Sequence, residues 1–438
     1  MPASAAPVAP SATGVAIIGC GIIGSAVANA LLHEQSLLHS RSGMRLQLRH
    51  VLERDAEKTK AAKIPQKLLA PTLDAVLADP ATHIVIELIG GLEPARSFVL
   101  KALKAGKHVV TANKYLLAMH GTELLNAARK AGVALQFEAS CGGAIPIIAA
   151  LTQSLLANDI SRIVGIVNGT CNYILTQMTQ HGQSYADALA GAQAAGYAER
   201  DPTFDVNGTD SAHKLAVLSS LAFGAQVPFE NIERAGIDTL SDIDLKFAKE
   251  FGYVCKLLAI GEKADGGLSL RVHPTFVSTD HFLSGVHGSF NAIAVDGHAA
   301  GQTVYVGRGA GGKPTSSAVL SDVLAIALGT APLLFQRLPL LTKKKELPFV
   351  PSSQIVSRNY LRVTALDVPG VMAQITNILS KHQISLAGIN QHESKAGQSV
   401  PIVITTHEAK DGNIAKAIAE IDQLKSITAN TVRIRVLG

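Results

Sequence analysis

Tryptophan is absent from this chain of 438 residues, and aromatic side chains of all kinds make up only 4% of it. Its cores must be filled by Ala, Val, Ile and Leu, as in layered α/β proteins. Hydrophobic residues reach 47% and charged residues only 17%, which suits two or three domains with sizeable cores. Cysteine is scarce too. Cys20, Cys141, Cys171 and Cys255 lie far apart without paired metal spacing, which argues against a disulfide framework and a zinc site. A reduced, cytoplasmic setting is the simplest expectation. No uninterrupted apolar run reaches membrane-spanning length, so no membrane partner is expected. The segment Met1–Thr13 is rich in Ala, Pro and Ser but lacks arginine and an apolar h-region. It fits neither a transit nor a signal peptide and reads as a disordered tail. Charge of one sign is also lacking: the formal net charge is +5. The excess lies from Leu341 onward, with twelve Lys+Arg against seven Asp+Glu. The run Lys343, Lys344, Lys345 reads as a solvated linker rather than a nucleic-acid patch.

Strands alternate with helices through the first third of the chain. Val15–Ile18, Leu46–Leu52, His83–Leu88, His108–Thr111 and Val133–Phe137 read as strands, with helical stretches between them. That alternation predicts a parallel sheet with right-handed crossovers over 14–141. From Ala144 a helix and then a strand, Arg162–Val167, are expected. Short strands punctuated by Gly, Asp and Asn follow between Tyr253 and Val306, which predicts an α+β substrate and dimerisation domain over 142–306. Gly307–Pro314 reads as a flexible loop, with a helix from about Ser316 to Leu328 that could return to the first domain, so that 307–340 joins it in space. Residues 341–357 read as a linker, and 358–438 as a βαββαβ, ferredoxin-like unit. Its strands are Tyr360–Leu366, Leu386–Glu393, Val400–Thr406 and Thr431–Val436, and its helices Val371–His382 and Gly412–Ile421.

Gly19-x-Gly21-x-x-Gly24 stands between a predicted strand and a predicted helix, the setting a dinucleotide-binding turn requires. Gly19 permits the tight turn, Gly21 lets the backbone approach a pyrophosphate, and Gly24 allows close helix–strand packing. The second strand ends in Glu53-Arg54-Asp55. An acid there holds the ribose hydroxyls of NAD, and an arginine pairs with the 2′-phosphate of NADP. The chain offers both, and Arg54 tilts the expectation toward NADP. The long gap from Gly24 to Glu53 is assigned to a polar loop near Ser36–Gly43.

The densest chemical run is Gly196 to Lys214, with Glu199, Asp201, Asp205 and Asp210 ahead of Lys214. Asn207-Gly208-Thr209 is a turn, and Leu215, Leu218 and Leu221 mark the helix after it. Asp210 and Lys214 are four apart and share a helix face. A lysine so placed can donate or accept a proton, although an ordinary surface ion pair gives the same pattern. Lys114 follows Thr111-Ala112-Asn113 at the carboxyl end of a predicted parallel strand, where ligands bind in open α/β sheets. Asn168-Gly169-Thr170 begins another helix, as a cap or a cofactor contact. His213 points to a different helix face from Lys214 and is given no role. Cys141 and Cys171 read as small buried residues rather than nucleophiles.

These motifs together resemble the homoserine dehydrogenases. The resemblance rests on Gly19-x-Gly21-x-x-Gly24, Glu87-Leu88-Ile89-Gly90-Gly91, Thr111-Ala112-Asn113-Lys114, Glu138-Ala139-Ser140-Cys141-Gly142-Gly143, Asn168-Gly169-Thr170-Cys171-Asn172-Tyr173-Ile174 and the acidic run, in family order over about residues 14–340. The terminal unit resembles an ACT domain, with Asp367-Val368-Pro369-Gly370 as its first strand–helix turn. The resemblance implies a Rossmann-type domain and interconversion of L-aspartate 4-semialdehyde and L-homoserine with NADP or NAD, on the way to threonine, methionine and isoleucine. It implies Lys214 as proton donor, with Lys114 and Asp210 beside it in catalysis. It implies substrate contacts at Glu199, Asp205 and Tyr197. Cofactor contacts are implied at Gly19, Gly21, Ile22, Ile23, Gly24, Arg54, Gly90, Lys114 and Gly309. A sodium site is implied at Glu138, Cys141, Gly143 and Ile145, built largely from backbone carbonyls. The family often has Val where this chain has Cys141, a change that a carbonyl ligand tolerates.

A small-molecule substrate, an amino-acid effector at the ACT domain (threonine), a homodimer or homotetramer, and no nucleic-acid partner complete the expectation. Two other readings share some of these motifs. A different ACT-bearing dehydrogenase of a small hydroxy acid usually pairs a histidine with a carboxylate, unlike Glu199 and Lys214. A non-enzymatic nucleotide and amino-acid sensor has no need of Lys114 or Lys214.

Overall fold

The computed structural model describes residues 12–341, 344–391 and 398–438. Most of the expected N-terminal tail lies outside them, but Thr13 already belongs to a strand. The chain forms two compact units. One holds residues up to Ser161 together with His213–Phe229 and Ile293–Glu346, and the other holds Arg162–Ala212, Glu230–Ala292 and Leu347–Gly438.

The first unit is built on β1 (Thr13–Ile18), β2 (Leu46–Leu52), β3 (Thr82–Glu87), β4 (His108–Thr111) and β5 (Leu135–Gln136). They form a sheet in the order β2-β1-β3-β4-β5, all parallel. Every residue of β3 except His83 is buried, as expected of a strand covered on both faces. The strand order reverses between β1 and β3, and at such a switch point the strand ends leave a ligand crevice. A dinucleotide sheet of the six-stranded kind has one more strand outside β2. Here that place is taken by the short helix Ala56–Ala61 and a 3-10 turn, Gln66–Leu68. One parallel bridge, Val51 to Leu69, is all that remains of the strand. The stretch expected as a loop near Ser36–Gly43 is instead the helix Gln35–Ser42, closed by Gly43 at φ 73°.

Three further expectations are corrected in this unit. Gly307–Pro314 is not one loop: the strand before it runs to Arg308, and a helix, Gly312–Ala327, starts at Gly312. Pro314 sits in that helix's first turn, where its missing N–H removes no helical bond. The helix packs on Ile22–His33, and a Cβ on Gly312 would lie 3.2 Å from Ile22. The helix expected from Ala144 shrinks to Ile147–Ala149 and passes into a π-helical turn, Ala150–Ser154. The stretch expected as a solvated linker is tied by backbone bonds: Lys345 N–H donates to Gly224 O at 2.9 Å, and Gln226 N–H to Lys345 O at 2.9 Å.

The remaining strands in chain order are β6 (Ile160–Ile166), β7 (Glu233–Arg234), β8 (Tyr253–Ala264), β9 (Gly267–Ser278), β10 (Phe290–Gly297), β11 (Gly301–Arg308), β12 (Val356–Leu366), β13 (Leu386–Gln391), β14 (Ser399–Thr406), β15 (Ala409–Lys410) and β16 (Ile427–Val436). The expected end of β13 at Glu393 lies outside the described residues. In the second unit the order is β6-β8-β9-β16-β12-β14-β13. β8 and β9 form a long antiparallel hairpin, Tyr253 opposite Ser278 through Ala264 opposite Gly267. β12, β13, β14 and β16 are the antiparallel strands of the βαββαβ unit, with helices Val371–Lys381 and Asp411–Ile421 over one face. Leu361, Val363, Ile375, Ile402, Ile414 and Ile421 fill the core between them. Only two residue pairs, Arg435 with Thr275 and Val436 with Phe276, join β16 to β9. That short seam is reinforced by Asp244, 1% exposed, which accepts from Tyr360 Oη at 2.9 Å and Arg362 Nε at 2.7 Å. Among the described residues no single helix is long and apolar enough to cross a membrane.

Candidate active site

The first unit holds a cleft of about 470 Å³ at the β1/β3 switch point, lined by Gly19, Gly21, Glu53, Arg54, Lys58 and Ile89 among others. Gly19 takes φ 96°, and a Cβ on Gly24 would lie 2.0 Å from Gly19 O. Only glycine lets helix Ile22–His33 start that close to β1. Nothing stands within 4 Å of a Cβ on Gly21, so its backbone faces open space. Ile22, 81% exposed, opens the helix whose free N–H groups suit a pyrophosphate. Glu53 is already engaged: it accepts from the N–H of Cys20 at 2.7 Å, Arg54 at 2.8 Å and Asp55 at 3.0 Å. Burial works to raise its pKa, but these N–H groups and the charge of Lys58 hold it below the ordinary value. Arg54 and Lys58 are exposed at the same rim.

The ends of β3 and β4 are locked by a residue that motif reading left without a role. Glu87, fully buried, accepts from Ile89 N–H at 2.8 Å, Gly90 N–H at 3.2 Å and Thr111 Oγ1 at 2.6 Å. Thr111 Oγ1 accepts from Asn113 N–H, and Asn113 caps helix Lys114–Ala131 through Leu116 N–H at 3.0 Å. Asn113 Nδ2 also donates to Gly91 O at 2.7 Å. Lys114 is thereby fixed as the first residue of a helix at the carboxyl end of β4, half-buried.

Glu138 starts a 3-10 turn that runs into Gly142 and Gly143, both left-handed. A Cβ on Gly143 would lie 2.5 Å from Gly309, and Ala144 N–H donates to Arg308 O at 3.0 Å, so Gly309 lies against this turn. The Glu138 carboxylate accepts from Ile148 N–H and Ala149 N–H, each at 2.8 Å. Burial pushes it up to about 7 in spite of those bonds. Beside it Asp322 accepts Glu138 N–H at 2.8 Å and is pushed well above the carboxylate range, by burial and then by Glu138. Cys141 is fully buried, and its thiol reaches Lys214 O at 3.8 Å. Lys214 is 9% exposed, on helix Thr209–Ala222. Its neighbour His213 is stacked between Tyr115 at 4.6 Å and Phe229 at 4.5 Å. Tyr115 adjoins Lys114, so one ring stack ties the two lysine-bearing helix starts together.

In the second unit Asn168 organises the acids. Its Oδ1 caps helix Gly169–His181 through Cys171 N–H at 2.8 Å, while Nδ2 donates to Asp205 Oδ1 at 2.7 Å and Asp210 Oδ2 at 2.9 Å. The turn before Asp210 is made by Gly208 at φ 82° and by Asn207 Oδ1, which accepts Thr209 N–H at 2.9 Å. Thr170 Oγ1 donates to Tyr197 O at 2.6 Å, and the Tyr173 and Tyr197 rings lie 5.0 Å apart. Glu199 is exposed on the segment after Tyr197. Below the clamp, buried Lys256 donates to Asn172 Oδ1 at 3.2 Å and Val286 O at 2.5 Å, and burial lowers its ammonium to about 8. Asn172 Nδ2 in turn holds Val286 O, Gly288 O and Phe290 O. This node fixes the loop whose Ser289 carbonyl would lie 2.8 Å from a Cβ on Gly169.

A family model described as Homoserine dehydrogenase matches residues 146–324, and one described as its NAD binding domain matches 19–138. The homoserine dehydrogenase of Pseudomonas aeruginosa is 39% identical over 96% of this chain and 98% of its own length. The chain belongs to the homoserine dehydrogenase family. An ACT domain model matches residues 359–425. The solved homoserine dehydrogenase from Thiobacillus denitrificans superposes with a TM-score of 0.91 at 39% identity, covering 97% of this chain and 98% of that one. A hyperthermophilic archaeal homoserine dehydrogenase mutant in complex with NADPH matches with a TM-score of 0.61 at 26% identity, covering 72% of this chain and 98% of that one.

The activity is that of an NAD(P)-dependent oxidoreductase acting on a CH–OH group. The glycine turn and the place of Lys114 at a strand end were legible from local pattern. Glu87, the His213 stack and the Asn168 clamp were not, because their partners are distant in sequence. Among the described residues no group of three or more His, Cys, Asp or Glu side chains could hold a metal ion. A cation site built from carbonyls is of a different kind.

Proposed function

We propose that the chain reduces L-aspartate 4-semialdehyde to L-homoserine, reversibly, with Lys214 giving its proton to the oxygen that becomes the alkoxide. The observation that carries this reading is the Asn168 clamp on Asp205 and Asp210. It fixes two carboxylates with one amide. Asp205, with Glu199 and Tyr197, takes the substrate ammonium end, and Asp210 lies one turn before Lys214 on the same helix. Lys114 stabilises the developing negative charge from the end of β4. Replacing Asn168 by Ala should raise KM for aspartate 4-semialdehyde and lower kcat by about tenfold or more, since a misplaced acid costs orientation. An N168A enzyme with unchanged constants would overturn the role.

Several finer features belong to the same reading. NADP is favoured over NAD, because Glu53 is consumed by three backbone N–H groups while Arg54 and Lys58 stay exposed for a 2′-phosphate. Arg54→Ala should lower kcat/KM for NADPH more than for NADH. The carbonyls of Glu138, Cys141, Gly143 and Ile145 hold a sodium ion. Support comes from the two left-handed glycines, which fold those residues into one tight turn. Where bound, the ion would supply fixed positive charge at this turn. Threonine regulates the enzyme through the ACT domain, and the chain works in the cytoplasm as a homodimer or homotetramer. A threonine titration that leaves the rate unchanged would count against that regulation.

A further inference from the structure

Lys256 stands on β8 opposite Thr275 of β9, and its side chain reaches helix Gly169–His181, which packs on that strand. It is 3% exposed. Its ammonium donates to Asn172 Oδ1 at 3.2 Å and to Val286 O at 2.5 Å, and neither acceptor carries a charge. The ionisable groups that face it are the Cys255 thiol beside it on β8 and His287 of the segment it holds; neither is a carboxylate. Taking an ammonium out of water without a counter-charge is costly, and an apolar side chain of similar length avoids that cost. Stability alone therefore gives no reason for a lysine at this point.

What the ammonium does fix is the direction of one amide. With Asn172 Oδ1 facing Lys256, Nδ2 must face the other way, and there it donates to Val286 O at 3.1 Å, Gly288 O at 2.9 Å and Phe290 O at 3.1 Å. A flipped amide would set its own N–H groups against the ammonium and lose those bonds. The segment 286–290 is thus wrapped around a side chain that Lys256 orients. Gly288 N–H adds a bond to Thr176 Oγ1 at 3.1 Å, one turn further along the same helix, and Thr176 Oγ1 donates to Asn172 O at 2.6 Å. The segment then passes the start of that helix. The Ser289 carbonyl would lie 2.8 Å, and Asn291 Oδ1 3.5 Å, from a Cβ on Gly169. Gly169 is the first helical residue and follows Asn168 directly, so the segment and the helix start are in close contact beside the clamp.

We propose that Lys256 is a positioning residue for the substrate site: through Asn172 and segment 286–290 it sets the start of helix Gly169–His181, and with it the Asn168 clamp on Asp205 and Asp210. The proposal rests on the reading of those two acids as part of the substrate site. Lys256 touches no reacting atom in this account. It acts at a distance of three contacts, from its ammonium to the Asn172 amide, from that amide to the segment, and from Ser289 to Gly169. A small displacement of acids that must meet an ammonium group is enough to weaken substrate binding.

The test compares the intact wild-type chain with Lys256→Met, which keeps the length of the side chain and removes the charge. Steady-state rates with aspartate 4-semialdehyde should show kcat/KM lowered by about tenfold or more, chiefly through KM, while the dissociation constant of NADPH stays at the wild-type value. Amide hydrogen exchange supplies a readout that needs no turnover. Cys171 N–H, bonded to Asn168 Oδ1 at 2.8 Å, reports the clamp, and Gly288 N–H reports the segment. Both should exchange faster in K256M by about tenfold. Thr176→Val frees Gly288 N–H at a second point and carries the test if K256M does not fold. An inactive wild type counts against the substrate reading alone, and the exchange rates still judge the link to the clamp. An unchanged kcat/KM, an equal loss of NADPH affinity, or faster exchange at Gly288 with Cys171 at the wild-type rate overturns the proposal.

Discussion

Two pairs of buried carboxylates, one pair in each unit, are held in opposite ways. In the second unit, Asp244 meets Arg362, and Asp411 meets both Arg433 and Arg435. These acids are spent on structure: Asp244 braces β12 at the seam, and Asp411 starts a helix of the ACT fold against β16. In the first unit Glu138 and Asp322 are just as deeply buried, but Glu138 is met by backbone N–H groups and Asp322 by the Glu138 N–H. Both are pushed toward the protonated form. The difference teaches where the chain keeps charge for chemistry. An acid with an arginine is a fastener. Glu138 and Asp322, buried without one, are held toward the protonated form instead.

The largest expected effect lies on the fastener side. Asp411→Ala leaves buried Arg433 without its acid and Arg435 with only Glu233, and should cost about 3–5 kcal/mol of stability in a thermal or denaturant melt of the intact chain. A loss within measurement error would erase the contrast. Next comes Glu138. Burial holds its carboxyl at about 7, above the ordinary value of 4.5, so the native state keeps a proton that the unfolded chain releases. Stability should therefore be highest below about pH 4.5 for this group and fall as pH rises toward 7, by on the order of 3 kcal/mol at most. Denaturant melts across that window should show the slope, and Glu138→Gln should remove it. Sodium bound at the turn should flatten it as well, since a nearby cation favours the carboxylate.

A smaller effect is expected from His213→Ala. Each lost ring contact is worth about 0.5–1.5 kcal/mol, and the slackened stack should lower kcat with little change in nucleotide affinity. His213→Phe keeps the stack and should restore most of the rate. The smallest effect should come from Asp322→Asn, which keeps an acceptor for Glu138 N–H and removes only a proton-bearing group; a change under about 1 kcal/mol is expected.

The fold was legible where local pattern carried it. Gly19-x-Gly21-x-x-Gly24, the apolar β1 to β4 and the βαββαβ ending each depend on neighbours a few residues away. The sequence reading places no strand between Leu52 and His83, and the structure has a short helix and a single bridge to Val51 there. Pro314 and the glycines around it read as a loop, yet proline in the first turn is compatible with a helix. In the site, the spacing of Asp210 and Lys214 on one helix could be read directly. The link from Asn168 to Asp205 and Asp210 spans 37 and 42 positions, and nothing in the helix-capping signal of Asn168 announces its second task.

The most direct test of the central claim is the oxidation of NADPH with L-aspartate 4-semialdehyde, comparing the wild type with Lys214→Ala. The account predicts an active wild type and a variant whose kcat falls by about 10²–10⁴-fold while NADPH binding is retained. An inactive wild type, or a Lys214→Ala enzyme that turns over at the wild-type rate, would contradict it.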